Sequence, residues 1–434
     1  MSAEAAPEVR ERSARLSPPG LTLTPGAIEP AGHIPALDGL RGIAILLVLF
    51  LHFAPYAPGL GPPTSLVDRL YVRASETGWI GVDLFFVLSG FLITGILWDT
   101  KGSRRYFRQF YARRFLRIFP LYYAVLALFL IVLPSLHIFD SVTKELRSDA
   151  VWYWTYLYNM KVAATGFRPF DAFGHFWSLA VEEQFYLIWP IAVLWLGRRH
   201  LLVTCVVAVV AALACRLVLS STGYVVLPNV WMPARMDALA VGAFIAVMAR
   251  QPDGLAMLRR WAAPVAVAAA LPLAVLLRYN VALTTVAHTL TALLFGAILV
   301  LSLVAPPSGP LARTTASPFL RFFGRYSYAL YVFHPLLLWF KPVFSLAFIP
   351  TLFGSLLPAY AVWLALSIGA TVGLALLSWH LVEKQFLKMK KYFPYQSADA
   401  SPATTARLAR SSARMHPQTS RAAPAPRTPR RTGA

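Results

Sequence analysis

LDGLRGIAILLVLFLHFAPY, residues 37–56, decides the fold, because a run this apolar belongs in a membrane and yet contains Arg41 and His52. An arginine at the centre of a membrane helix costs roughly 2.5–3.5 kcal/mol on insertion scales, so such residues face a protein interior and act there. On a helix at about 100° and about 1.5 Å per residue, His52 comes round to within about 20° of the face of Arg41, about 16 Å further along the axis. The pair therefore lines one path through the bilayer. Asp38, one turn before Arg41, is placed to hold its guanidinium.

The rest of the chain agrees. Of its 434 residues 57% are hydrophobic and only 14% charged, and apolar runs recur at spanning length. Ten can be marked, at about 42–58, 79–98, 118–136, 176–197, 201–220, 237–250, 261–277, 283–305, 327–347 and 356–381. The expected fold is all-α, a polytopic membrane protein with about ten transmembrane helices. Residues 1–34 read as a disordered cytoplasmic segment without the pattern of a signal peptide, 35–391 as the membrane domain, and 392–434 as a disordered basic tail. Lys and Arg concentrate in alternate short loops, which puts both termini in the cytoplasm and accounts for much of the formal charge of +21. A nucleic-acid partner is not expected, since no binding fold accompanies that charge. Cys205 and Cys215 share one helix on different faces, and no metal-ligand spacing is present.

Polar groups recur at membrane depth. In residues 78–97, Asp83, Gly90 and Thr94 share a face, with Asp83 either structural or at a site; Ser89 reads as a helix-packing residue. In residues 174–190, His175, Ser178, Glu182 and Tyr186 stack at spacings of three, four and four, while Glu183 points about 100° away from Glu182. A carboxylate beside a histidine can orient an imidazole or carry a proton; both glutamates can equally neutralise arginines such as Arg41 or Arg235. Ser327, Tyr331 and His334 share a face in residues 324–339, where Pro335 frees a backbone carbonyl. His334 reads as a structural or substrate-positioning residue, like Asp83, His175, Ser178 and Tyr331. His380 with Glu383, and Arg235 with Asp237, read as interfacial pairs. Trp152, Tyr153, Trp154, Tyr156 and Tyr158 form an interfacial belt or a platform for sugar rings. The basic aromatic run 104–120 suits an amphipathic helix on the inner leaflet; Arg113 and Arg117 are also spaced to clamp phosphates.

Seven segments in order over about residues 34–390 resemble the membrane-bound acyltransferase-3 family: 37–53 with its Arg and His, GVDLFFVLSGFLIT (81–94), RRFLRIFPLYY (113–123), HFWSLAVEEQFYLIWP (175–190), RMDALAVGAF (235–244), YSYALYVFHPLLLW (326–339) and VEKQF (382–386). The resemblance implies a ten-helix transferase that uses an acyl-CoA thioester, most often acetyl-CoA, to O-acylate sugars at bacterial inner membranes. It makes Arg41 and His52 essential, with Arg113, Arg114, Arg117 and Glu182 or Glu183 as further matching positions. The closing motif departs from the family's usual Arg and Pro after its glutamate, reading Glu383, Lys384, Gln385. The expected chemistry places the CoA phosphates near Arg113, Arg114 and Arg117 and the acyl group beside His52, which deprotonates an acceptor hydroxyl or carries the acyl group itself. The acceptor is a carbohydrate such as O-antigen, exopolysaccharide or glycolipid. The rival readings are a transporter or channel for an acyl group or small solute, and a non-catalytic scaffold.

Overall fold

Each apolar stretch becomes a helix, since in hydrocarbon a segment must satisfy its own backbone polar groups. The computed structural model describes residues 34–395, apart from 64, 139, 169–171, 280–284 and 344. The long helices are α1 (Pro35–Phe53), α2 (Ile80–Asp99), α3 (Tyr106–Ala127), α4 (Phe176–Trp195), α5 (Arg198–Ser221), α6 (Met232–Met248), α7 (Gly254–Tyr279), α8 (Val286–Val304), α9 (Pro318–Phe333) and α10 (Leu357–Ser378). No strand is named among the described residues. The expected segments 1–34 and 392–434 lie outside them, except for Ile34 and residues 392–395.

Among the described residues eight helical regions are long and apolar enough to cross a membrane, fewer than the ten expected. The two that fall short are α4, diluted by its polar stripe, and α9, whose 16 residues span about 24 Å against about 30 Å of hydrocarbon. The ninth apolar stretch does not continue as one helix. At His334–Val343 it tightens into a 3-10 segment, beginning where Pro335 can no longer donate to the preceding turn. The basic run at 104–120 likewise differs from a separate surface helix: it forms the first half of α3, continuous through Pro120, which turns Arg114 and Arg117 inward.

α2, α6 and α8 form the centre, with most of their apolar windows buried, whereas α5 and α7 lie outside. α1 packs between α2 and α9. The α2–α6 contact depends on two glycines. A Cβ added at Gly90 would lie 1.9 Å from the Leu239 carbonyl oxygen, and one at Gly242 would lie 2.0 Å from that of Val87. Backbones this close exchange dispersion that larger side chains would prevent. Gly90→Val is therefore expected to cost about 3 kcal/mol or more through forced separation of the helices. Gly369→Ala, with open space around it, should be neutral or slightly stabilising; thermal melts of the purified protein compare the two.

Candidate functional site

A cavity of about 440 Å³ opens where α1, α2, α3, α4 and α9 converge. α1 supplies Arg41, which Asp38 holds at 3.5 Å across one turn. α3 supplies Arg114 and Arg117, and α4 its stripe of Ser178, Glu182 and Tyr186 together with Glu183. The spacing of three and four residues places the stripe on one face, and a helix turns wide enough for Glu183 to reach the cavity as well. Ser89 on α2 donates to Glu182 Oε1 at 2.6 Å and lies 2.8 Å from the Tyr186 hydroxyl. Ser89 is thus part of the polar wall and not only a packing residue. Its single proton goes to Glu182, so Tyr186 donates to Ser89. Five cations (Arg41, Arg114, Arg117, Arg325 and Lys390) face three carboxylates (Asp38, Glu182 and Glu183) around the cavity. That surplus suits an anionic ligand, and guanidinium forks match phosphate oxygens.

At the far end of the stripe lies a histidine cluster. Tyr331 of α9 lines the cavity; its hydroxyl shares a 2.5 Å hydrogen bond with Ser178 and donates to the His175 carbonyl at 3.0 Å. Behind this latch the rings of His52 and His334 are 4.7 Å apart and those of His175 and His334 5.1 Å apart. His52 Nδ1 is 2.9 Å from the Val48 carbonyl, and His334 Nδ1 is 2.8 Å from that of Tyr331. A carbonyl only accepts, so both Nδ1 atoms carry hydrogen and each neutral ring keeps its lone pair on Nε2. The Nε2 of His334 is buried with no hydrogen-bond partner. Such an atom in a native interior points to a missing ligand or a chemical role. Among the described residues no group of three or more His, Cys, Asp or Glu side chains is placed to hold a metal ion.

Other expected site residues lie elsewhere. Asp83 faces α6 and α8, paired with Arg235 and bonded at 2.9 Å to His288 Nδ1. Arg113 turns away from the cavity toward the carbonyls of Lys390 and Phe393, at 3.4 and 3.2 Å. Arg235 and Asp237 are not partners: Asp237 is bound by Arg216 at 2.7 Å, with Thr289 donating at 2.8 Å. Glu383 accepts from Ser378 at 3.2 Å inside a π-helical turn and forms no pair with His380. The aromatic run stacks mostly on itself and on α3, with Tyr122 on Tyr156 at 4.3 Å, Tyr153 on Tyr158 at 4.2 Å and Tyr123 on Trp154 at 5.4 Å. Sequence reasoning missed Arg216 and His288, although each interrupts an apolar stretch as Arg41 does. Arg235→Leu should strand the Asp83 carboxylate beside His288 and destabilise by about 3–5 kcal/mol, with partial recovery when Asp83→Leu is added. The melting temperatures of the single and double variants check this.

Comparison with known proteins bears on this geometry. A family model described as an acyltransferase domain matches residues 34–380. The peptidoglycan O-acetyltransferase OatA of Listeria monocytogenes is 35% identical over 188 residues, 40% of this chain and 27% of that protein. The putative peptidoglycan O-acetyltransferase YrhL of Bacillus subtilis is 37% identical over 166 residues, 36% of this chain and 23% of the relative. The O-acetyltransferase OatA of Staphylococcus aureus is 31% identical over 175 residues, covering 38% and 26%. The matched part thus spans about a quarter of each relative's length. No solved structure matches significantly.

Proposed function

The chain belongs to the acyltransferase-3 family, and on that premise we propose that it moves an acyl group, in the first instance acetyl, from a coenzyme A thioester to a carbohydrate hydroxyl at the bacterial inner membrane. The observation that carries the reading is an arginine-lined cavity whose wall residues Ser178 and Tyr331 are hydrogen-bonded to each other, with the Tyr331 ring also in contact with His175 and His334 of the histidine cluster. The relatives' names point to acetyl as the group and to peptidoglycan as one kind of acceptor. Other glycans offer the same hydroxyl chemistry.

The donor fits the residues present. Its phosphates are anionic, and Arg41, Arg114 and Arg117 converge on a cavity with a surplus of cations. The distribution of Lys and Arg among the loops supports a cytoplasmic location for this end, the side on which the thioester is supplied. Arg113, tied to the segment at 390–393, shapes the rim. Asp83 serves the site indirectly, by fixing α2 against α6 and α8. A thioester is already activated, so catalysis consists of placing the acceptor oxygen, removing its proton and stabilising the oxyanion. His52 Nε2 takes the proton as the oxygen attacks the acyl carbon, and the tetrahedral centre collapses by expelling the coenzyme A thiolate. Val48 holds the His52 ring in the basic tautomer throughout. Glu182 and Glu183 balance the arginines and keep their guanidiniums aimed inward. His175, Ser178, Tyr331 and His334 position the acyl group and the acceptor.

With protein purified in lipid, radiolabelled acetyl-CoA and a crude glycan and glycolipid extract, wild type is expected to transfer label. His52→Ala should lower the rate by about 10²–10⁴-fold, the usual worth of a positioned acid or base. Arg41→Ala should abolish transfer, and Arg41→Lys should restore only part, having charge without the fork. Equal transfer by all four proteins would overturn the assignment. Label crossing vesicle membranes while the thioester stays intact would favour a transporter instead.

A further inference from the structure

A second cavity, of about 500 Å³, lies remote from the charged one, between the peripheral helices α5 and α7. α5 packs on α6 and α7 packs on α8, with at most slight contact between α5 and α7 among the described residues, so α6 and α8 floor an open groove. Every lining side chain is apolar. Val206 and Val210 form one wall and Trp261 and Val265 the other, while Gly296 and Ala297 keep the floor deep. The size is that of a ligand site, and the outer edges of both walls are exposed, with Val210 at 61% and Trp261 at 58%. In a membrane chain that exposure is to lipid.

One end of the groove is basic. α6 returns from the far end of α5, and five residues after its last turn α7 begins, so α5 and α7 start at the same end. There α5 carries Arg198 and Arg199 in its first turn and α7 carries Arg259 and Arg260, all four exposed. Among the described residues no ion pair engages any of them, whereas Arg250 nearby is taken by Asp99 through two bonds of 2.6 and 2.8 Å. Arg260 lies over the ring of Trp261, which itself lines the groove. Both helices also present their N-termini at this end, where the backbone favours negative charge. A long apolar slot open to the bilayer and capped by unpaired guanidiniums complements a molecule with a long acyl chain and a phosphate.

We propose that this groove is a specific site for an anionic glycerophospholipid, with one acyl chain between α5 and α7 and its phosphate held by Arg199, Arg259 and Arg260. The lipid supplies the packing that α5 and α7 lack against each other. Native mass spectrometry of the full chain released from nanodiscs tests it, with phosphatidylglycerol, phosphatidylcholine and free glycerol 3-phosphate as probes. Wild type is expected to retain one phosphatidylglycerol in preference to phosphatidylcholine by roughly tenfold or more. R199Q/R259Q/R260Q should reduce retention to the phosphatidylcholine level. Val210→Trp, which fills the groove from its lipid-facing rim, should weaken both lipids. Equal retention of the two lipids by wild type would overturn the proposal. So would unchanged retention in Val210→Trp, binding of glycerol 3-phosphate as tight as that of the lipid, or a lipid-free dimer, which would give the groove to a second copy of the chain.

Discussion

A charge inside an apolar bundle must be matched where it lies, and the centre of this protein is arranged around that requirement. Arg235 reaches Asp83, whose other oxygen holds His288; Arg216 reaches Asp237, which Thr289 also serves. These two networks tie α2, α5, α6 and α8 together with directional contacts in a medium that offers no hydrophobic drive for helix association. Removing one partner leaves a bare charge, so the helices hold one register. Gly90 and Gly242 then let α2 and α6 meet backbone to backbone. With α2 fixed, α1 is fixed against it, and Arg41 with it.

The same constraint separates the protein into a structural and a reactive set of polar groups. In the structural set each carboxylate, Asp83 and Asp237, meets a cation. In the reactive set the arginines outnumber the carboxylates around the cavity, and the Nε2 of His334, an acceptor, has no partner. Unsatisfied groups in a low-dielectric interior hold free energy that a ligand can recover. The Ser178–Tyr331 latch lies between the cationic chamber, whose wall both residues form, and the histidines that the Tyr331 ring touches; on the proposed function it would keep the donor's phosphates on one side and the proton chemistry on the other. Tyr331 touches both compartments, being in the cavity wall and in ring contact with His175 at 5.2 Å and His334 at 5.5 Å.

Much of the architecture is legible in the sequence because a membrane helix must be a long apolar run. The stretch at residues 79–98, for example, is α2 to within one residue, whereas that at 42–58 overlaps α1 but starts seven residues late and ends five late. The ends are less legible: α9 starts nine residues before its expected stretch, since Arg321 and Arg325 obscure a continuous helix. At the site, the face shared by Ser178, Glu182 and Tyr186 follows from helical period alone. Partners across helices do not. Asp83 paired with Arg235, and not with a substrate, depends on how α2 and α6 cross; Ser89 reaches Glu182 for the same kind of reason. The signal for Arg216 and His288 was present, an ionisable residue in an apolar run, but with no period to connect them to Asp237 and Asp83.

On the proposed function, a thioester bound among the arginines reaches past Tyr331 and places its acyl carbon beside His52. A coenzyme A thioester with a photoreactive group at the acyl end, irradiated on the protein in lipid and mapped by peptide sequencing, tests it directly. The account predicts label in the segments around His52, Ser178 and Tyr331–His334, all of it displaced by excess acetyl-CoA. Label confined to other helices, or insensitive to acetyl-CoA, would contradict it.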